Sequence, residues 1–350
     1  MKVFQRLKVI LRCGAIVALA ASLCGISAHA EDRMQGMPAP VAGKKNYRIA
    51  YASIDMNSDF FLGQAYGILD EAKRANVSVV RIVSAGGYGK VAEQIAQLEQ
   101  LGTLNLDAVI LGGAAFDGYE KVVDRLVEKG VKVVALGSPV SATKVSLGII
   151  QDEAALGTDL AAAVCKRKPG AKVLTLPGPP GVEWSRRRFE GFRNEGATCR
   201  MTLVGNTFAG NVSIEEGQRQ AGDLLIKNPD VDFIYAAPGI FAVGAAQQAR
   251  RMQVKAPVVT GTITRRTIER MKDGSIAIVM SEPTILKGRA ALQYTVRLLN
   301  GDPLPNLVAG ALPYPAVYTP NLPVTADMLQ TYDVNAYDLP PEGWTPPNLQ

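Results

Sequence analysis

The stretch LDAVILGGAAFDGYEKVVDRLVEKGVKVVAL, residues 106–136, contains a complete strand–helix–strand unit. Its two ends, Leu106–Leu111 and Val131–Leu136, are apolar at nearly every position, whereas Tyr119–Lys129 has a helical pattern. Continuous apolar runs are typical of strands buried on both faces. The stretch therefore predicts a parallel sheet covered by helices, which is the α/β class.

The same alternation of strands and helices fills most of the chain in two series. The first series starts at the apolar run Tyr47–Ser53, and the second restarts at Asp152 and continues to a helix over residues 284–300. Two such series predict two doubly wound lobes of similar size. In open α/β sheets, ligands bind outside the carboxyl ends of the strands. The residues that follow each strand are therefore the candidates for a ligand site.

The first thirty residues have the composition of a secretory signal peptide. They contain basic residues and no acid, an apolar run over residues 15–23, and the small-residue site Ala28-His29-Ala30. The run is about half the roughly 20 residues that a membrane-spanning helix needs. We expect cleavage after Ala30 and export to the periplasm. A lipoprotein anchored at Cys24 is the less favoured alternative, and no later segment is apolar for long enough to insert in a membrane.

The charge of the remaining chain argues against a nucleic-acid partner. The formal net charge of the 350 residues is +6, and four of those charges lie in the first thirty residues. The rest of the chain is therefore almost neutral and lacks the basic surface that nucleic acid requires. Because 47% of the residues are hydrophobic and only 20% are charged, the chain can bury a core.

Cleavage also removes the only histidine, His29. Ser-His-Asp and Cys-His catalysis and histidine-ligated metal sites are then excluded. The glycines of residues 176–181 lack the Gly-Lys-Ser/Thr ending of a phosphate loop and the spacing of a dinucleotide-binding turn. We therefore expect no enzyme activity, no catalytic residue, no metal and no cofactor.

Two cysteines remain after cleavage, Cys165 and Cys199. Both are predicted near the amino-terminal edge of neighbouring strands, so a bridging distance is feasible. An oxidising compartment favours a disulfide between them. The alternative is two half-buried thiols that never meet.

Aromatic residues follow the first two strands of the first lobe. Phe60 and Phe61 stand at the start of a predicted helix, where a solvent-facing helix has no need for paired rings. In a cleft, one of them could stack on a ligand, whereas the alternative is a packing contact with the sheet. Tyr88 lies in the glycine-rich turn 85–89 and is placed at the mouth of the cleft, unless it only covers the surface.

Charged residues follow two strands of the second lobe. Three successive arginines, residues 186–188, open a helix whose dipole favours acids at that end. At least one should therefore have an outside partner, and Arg186 is the candidate for contacting a ligand; the alternative is a solvated arginine. Glu282 follows the strand Ser275–Met280 and would face the cleft, unless it only caps the next helix.

Three segments together resemble one protein family. These are Asn57-Ser58-Asp59-Phe60-Phe61, the helix start over residues 184–192, and Asn228-Pro229-Asp230-Val231-Asp232. They are similar to segments of the type I periplasmic binding proteins, the ribose-binding and LacI-like group. The resemblance implies two Rossmann-like lobes joined by a multi-strand hinge. It places the first lobe at 46–147 plus about 264–310, the second at 148–263 plus about 311–335, and an extended tail at 336–350.

Within that group the chain resembles most the periplasmic sensors of trimethylamine N-oxide. This resemblance adds two residues to the ligand-contact candidates, because Ile149 and Thr262 occupy positions that are aromatic in those sensors. The sequence departs from the sugar binders of the group after the fourth strand, where Gly137-Ser138 replaces Asp and Arg. The resemblance implies a small-molecule ligand and a sensor that signals to a membrane histidine kinase in a two-component system. The alternative is a solute-binding component of an ABC transporter for a sugar or another small solute.

Overall fold

The computed structural model describes residues 39–205, 207–310 and 312–347, and it contains two six-stranded sheets. The strands of the first sheet are β1 (Arg48–Ser53), β2 (Ser78–Ser84), β3 (Ala108–Leu111), β4 (Lys132–Gly137), β5 (Leu147–Gln151) and β11 (Ala316–Thr319). Those of the second are β6 (Lys172–Leu176), β7 (Thr202–Val204), β8 (Phe233–Ala236), β9 (Val258–Gly261), β10 (Ile276–Ser281) and β12 (Leu322–Val324).

The helices of the described residues connect the strands and cover the sheets. They are α1 (Asp59–Arg74), α2 (Val91–Leu101), α3 (Glu120–Glu128), α4 (Glu153–Arg167), α5 (Glu183–Thr198), α6 (Ile214–Lys227), α7 (Gly239–Arg251), α8 (Arg265–Lys272), α9 (Thr284–Asn300) and α10 (Val334–Tyr337), with a 3-10 helix at Asp327–Gln330. A lobe consists of one sheet and the helices packed on it.

The predicted two-lobed α/β fold is confirmed. The first sheet has the order β11-β5-β4-β3-β1-β2 and the second the order β12-β10-β9-β8-β6-β7. The named strands pair in parallel, except that β12 runs antiparallel to β10. All residues of β3 are buried, and those of β4 are buried between its two ends, because helices cover both faces of the sheet.

A hinge of three crossovers joins the lobes. The first crossover follows Gln151, which ends β5 in the first sheet before α4 joins the second lobe. The second crossover is Glu282-Pro283, because β10 lies in the second sheet whereas α9 packs against α1 of the first lobe. The third crossover, residues 320–321, connects β11 to β12. The predicted multi-strand hinge is therefore present.

Three lobe boundaries differ from the sequence prediction. The strand β11 lies in the first sheet, although residues 311–335 were expected in the second lobe. β5 lies in the first sheet, although the second lobe was expected to begin at residue 148. Residues 265–281 lie with the second sheet, although a return to the first lobe was expected near residue 264. The reason is that α8 connects two strands, β9 and β10, that pair directly. A connection between neighbouring parallel strands packs back onto its own sheet.

Two glycines bring α4 and α5 unusually close together. A Cβ added to Gly157 of α4 would lie 1.9 Å from the carbonyl oxygen of Arg188, and one added to Gly191 of α5 would lie 2.1 Å from that of Ala154. The backbones of the two helices are therefore in direct contact. This close packing sets the start of α4 beside the side chain of Arg188.

A disulfide connects the far ends of the same two helices. Cys165 lies in the last turn of α4 and Cys199 follows α5, with 5.8 Å between their Cα atoms. The predicted signal peptide, residues 1–30, lies outside the described residues. Within the described part of the chain, no helix is both long enough and apolar enough to cross a membrane.

We expect the double variant C165A/C199A to unfold at a lower temperature than the wild type. The bond closes a loop of 34 residues. In the chain-entropy model, closing a loop of that length raises the free energy of unfolding by about 3 to 4 kcal/mol. Thermal denaturation with and without dithiothreitol measures the effect. The reductant should lower the midpoint of the wild type only; an equal midpoint for all samples would contradict the prediction.

Candidate functional site

A buried arginine of the second lobe stands between two carboxylates. Arg188 of α5 is only 3% exposed. Its Nε lies 2.9 Å from Oε2 of Glu153, and its two terminal nitrogens each lie 3.2 Å from an oxygen of Glu282. Thr262 donates a hydrogen bond of 2.6 Å to Glu282, and the ring of Trp184 lies 5.3 Å from the guanidinium carbon.

Burial moves the pKa values of the two carboxyl groups in opposite directions. Removal from water raises the pKa of Glu153, and the guanidinium of Arg188 only partly offsets this. Burial also acts on Glu282, but the charges of Arg188 and Lys287 outweigh it and hold the pKa below its usual value. Burial opposes the charge of Arg188, yet the two carboxylates raise its pKa above the usual value. The arginine is therefore ionised, and Glu282 is its ionised partner.

Aromatic side chains of the first lobe face this cluster. Phe60 and Phe61 meet edge to face with 5.1 Å between ring centres, and Tyr88 lies 6.3 Å from Phe61. Tyr88 is 46% exposed, but packing around its hydroxyl and the charges of Glu153 and Glu282 raise its pKa to about 12. The two lobes thus present aromatic and charged walls to one cleft.

A fully buried lysine connects the cluster to the hinge. Lys287 of α9 donates to Gln151, and Gln151 donates in turn to Asn321. Its ammonium lies 4.9 Å from the ring centre of Phe60. Burial lowers the pKa of Lys287, while Glu282 acts in the opposite direction. Because these residues stand beside all three crossovers, the lysine network holds the hinge segments together.

The C-terminal tail, residues 325–347, places a carboxyl group against the second crossover. Asp338 is fully buried; its oxygens lie 2.9 and 3.1 Å from Oγ of Ser281 and 2.6 Å from the hydroxyl of Tyr332. Its backbone oxygen accepts a 2.6 Å hydrogen bond from Thr284. Burial is the main cause that raises the pKa of Asp338 to about 7. The tail is therefore part of the hinge region.

The structure brings five of the seven predicted ligand-contact residues to the cleft. Phe60, Phe61 and Tyr88 lie on its first-lobe wall, and Thr262 and Glu282 on its second-lobe wall. Thr262 also has a left-handed backbone with φ of 67°, which is rare for a β-branched residue and a sign of local strain.

The two remaining candidates lie elsewhere. Ile149 is fully buried in the middle of β5, where it pairs with Leu136 and Val317. Arg186 faces solvent and binds Glu183 and Glu190 of its own helix. Neither side chain reaches the cleft, so both placements correct the sequence prediction.

Arg188, Glu153 and Lys287 are the site residues that sequence reasoning missed. A signal for Arg188 was present, because the buried face of α5 is Ser185, Arg188, Phe189 and Phe192, spaced as one helical stripe. Arg186 lies about 200° around the helix from Arg188 and falls on the opposite face. Glu153 and Lys287 meet Arg188 only through the tertiary fold.

The chemistry of the cluster is that of binding. It offers two cations, two carboxylates, hydroxyl groups and aromatic rings, which can hydrogen-bond and stack on a small solute. Over residues 39–347, apart from the two that are not described, no group of His, Cys, Asp and Glu is placed to hold a metal ion.

Comparisons with known proteins agree with this arrangement. A family model described as a periplasmic binding protein domain matches residues 49–303. The Periplasmic protein TorT of Escherichia coli (strain K12) is 24% identical over 267 residues, which are 75% of this chain and 76% of that protein. The Ribose import binding protein RbsB of Bacillus subtilis (strain 168) is 24% identical over 277 residues, which are 79% of this chain and 89% of that protein.

A solved structure is also similar over nearly the whole described chain. The substrate-binding protein of a sugar ABC transport system from Bordetella parapertussis 12822 has a TM-score of 0.85 and 34% identity. The match covers 90% of this chain and 100% of that one. Both lobes and the hinge are therefore shared with that protein.

Replacing Arg188 by methionine should destabilise the protein by about 3 to 5 kcal/mol, because it leaves two buried carboxylates without their cation. Arg186→Met is the matched control on the same helix, and it should cost less than about 1 kcal/mol because the side chain is exposed. Urea denaturation at pH 7 measures both. Equal stability of the two variants would contradict the buried ion pair.

We expect Asp338→Asn to change how stability depends on pH. Because the pKa of Asp338 is raised from 3.8 to about 7, the folded protein binds this proton more tightly than the unfolded chain does. The wild type should therefore lose stability relative to the variant as the pH rises from about 4 to about 7. The groups that act on this carboxyl are Tyr332, Ser281, Lys287 and Glu282.

Urea denaturation at several pH values compares the two proteins, with Glu342→Gln as a control at an exposed tail position. The control should follow the wild type at every pH. Parallel curves for the wild type and Asp338→Asn would show that this carboxyl does not titrate between pH 4 and 7.

Proposed function

The chain belongs to the periplasmic binding protein family, and on that premise we propose that it binds a sugar or a similar neutral polyol in the cleft and delivers it to an ABC permease. Members of this family bind solutes and are not catalysts. The proposal includes removal of the signal peptide, residues 1–30, and function in the periplasm.

The balance of charge in the cleft carries this proposal. Two basic side chains, Arg188 and Lys287, are balanced by two acidic ones, Glu153 and Glu282. Three of the four are buried, and the side chain of Glu153 is 17% exposed. A ligand with a net charge would leave one charge of this cluster uncompensated, which is costly away from water. A neutral polyol can instead donate to the carboxylates and accept from the cations.

The aromatic wall supports the same class of ligand. Phe60, Phe61 and Tyr88 give the cleft an apolar face opposite the charged cluster. A sugar ring has hydroxyl groups at its edge and apolar C–H groups on its face. The hydroxyl groups can hydrogen-bond to the charged wall, and the C–H face can pack on the aromatic wall. We propose that Phe60, Phe61, Tyr88, Thr262 and Glu282 contact the ligand.

The relatives support transport better than the sensor role implied by the sequence resemblance. RbsB is named as a ribose import binding protein, and the Bordetella parapertussis protein, 34% identical to this chain, as the substrate-binding protein of a sugar ABC transport system. The alternative, a sensor acting on a histidine kinase, is implied by the sequence resemblance to the trimethylamine N-oxide sensors. The 24% identity with TorT is the comparison that supports it. In either role, the bound solute would favour one arrangement of the lobes about the hinge.

A thermal-shift screen tests the ligand class. Pentoses and hexoses should raise the unfolding midpoint, since a ligand at 100 times its Kd adds about 2.7 kcal/mol, a shift of a few degrees. Millimolar trimethylamine N-oxide should give no shift. Tyr88→Ala should abolish the sugar shift and keep the ligand-free midpoint, because the ring is half exposed. Tyr318→Ala, at a residue 38% exposed on β11, is the matched control.

Uptake separates transport from sensing. Deletion of the gene should abolish import of the bound sugar at low external concentration if the protein feeds a permease. Normal uptake together with a lost transcriptional response would favour the sensor instead. A shift with trimethylamine N-oxide and none with any sugar would overturn the proposed ligand class.

A further inference from the structure

One end of a buried carboxamide in the first lobe has no hydrogen-bond partner. Gln64 of α1 is 1% exposed, and its Oε1 accepts a hydrogen bond of 2.9 Å from the hydroxyl of Tyr51. Its Nε2 is buried and has no partner among the described residues. A buried donor without a partner is unfavourable, so this amide group needs an acceptor that the chain itself does not supply.

The unpartnered nitrogen points at the carboxyl end of β4. A Cβ placed on Gly137 would lie 2.9 Å from Nε2 of Gln64, and among the described residues Gln64 supplies the only non-neighbouring atoms within 4 Å of that position. Gly137 has a φ of 72°, a left-handed conformation that glycine adopts without strain. The lack of a side chain at residue 137 therefore leaves the amide facing the end of the strand.

This strand end belongs to the cleft. Gln64 lies one helical turn after Phe60 and Phe61, so its side chain is on the same face of α1 as the aromatic wall of the cleft. Ligands of open α/β sheets lie at the carboxyl ends of the strands. The free amide of Gln64 and the bare backbone of Gly137 are thus adjacent to the proposed ligand position.

We infer that Nε2 of Gln64 donates a hydrogen bond to an acceptor oxygen of the bound solute beside Gly137, so that Gln64 is a specificity-determining residue of the cleft. The inference rests on the proposed function. It requires a ligand that places a hydroxyl, ring or carbonyl oxygen at that point. Ligands that present an alkyl group or a quaternary ammonium there leave the donor unpartnered and are selected against.

The role of Gln64 is tested in the Tyr51→Phe variant, which lacks the tyrosine hydroxyl that bonds to Gln64. In that background the Gln64 side chain has lost its one protein partner, so Gln64→Met removes the free amide without leaving the tyrosine hydroxyl unpartnered. Isothermal titration calorimetry with the best sugar of the screen compares the two proteins. We expect Tyr51→Phe to bind within about threefold of the wild type, and the double variant to bind at least about tenfold more weakly.

A second variant and a ligand series cover the case in which the double variant does not fold. Gly137→Ala places a methyl group against the amide and should weaken binding while Gln64 is intact. One of the monodeoxy or O-methyl forms of the sugar should bind the wild-type protein about tenfold more weakly than the parent sugar does. The double variant should bind that form and the parent sugar with equal affinity.

The outcomes separate this inference from the function on which it rests. If no sugar binds the wild-type protein, the proposed function fails. If sugar binds the wild type, Tyr51→Phe and the double variant with equal affinity, the function stands and the role of Gln64 is overturned. Unchanged binding by Gly137→Ala would also overturn it, since the methyl group occupies the position assigned to the ligand oxygen.

Discussion

The buried guanidinium of Arg188 is the constraint around which the two lobes are organised. Its partners come from the hinge, since Glu153 begins the helix after the first crossover and Glu282 is itself in the second. A buried charge must keep its partners at short range, because the cost of separating them away from water is several kcal/mol. Two crossovers are therefore fixed relative to α5. Lys287 connects the third crossover to this cluster through hydrogen bonds from Lys287 to Gln151 and from Gln151 to Asn321.

Much of the fold could be predicted because each strand–helix–strand unit is encoded locally. The apolar runs of β1, β3, β4 and β10 were continuous enough to be recognised. β5 was not predicted because Gly148 interrupts its apolar residues, and β11 and β12 were not predicted either. β11 and β12 also lie in or beside a proline-rich segment, and they are recognised as strands only once they pair with distant parts of the chain.

The candidate site residues could be named from the sequence where they follow a strand or start the helix after it. Glu282 directly follows β10, whereas Phe60 and Phe61 start the helix after β1. Arg186 was chosen over Arg188 because the helix dipole cannot distinguish adjacent positions, whereas the buried stripe with Phe189 and Phe192 can. Lys287 meets Gln151 across 136 residues, and Asp338 meets Ser281 across 57 residues. No local pattern contains such pairings, because they arise only when the lobes and the tail assemble.

The three crossovers also govern the order in which the molecule can be built. Neither sheet is a continuous piece of chain, since β11 completes the first and β12 completes the second, and these strands are only two residues apart. A chain that folds as it emerges from its amino terminus keeps both sheets one strand short until residues 316–324 have appeared. Both lobes therefore reach their final form together, after almost the entire polypeptide has been made.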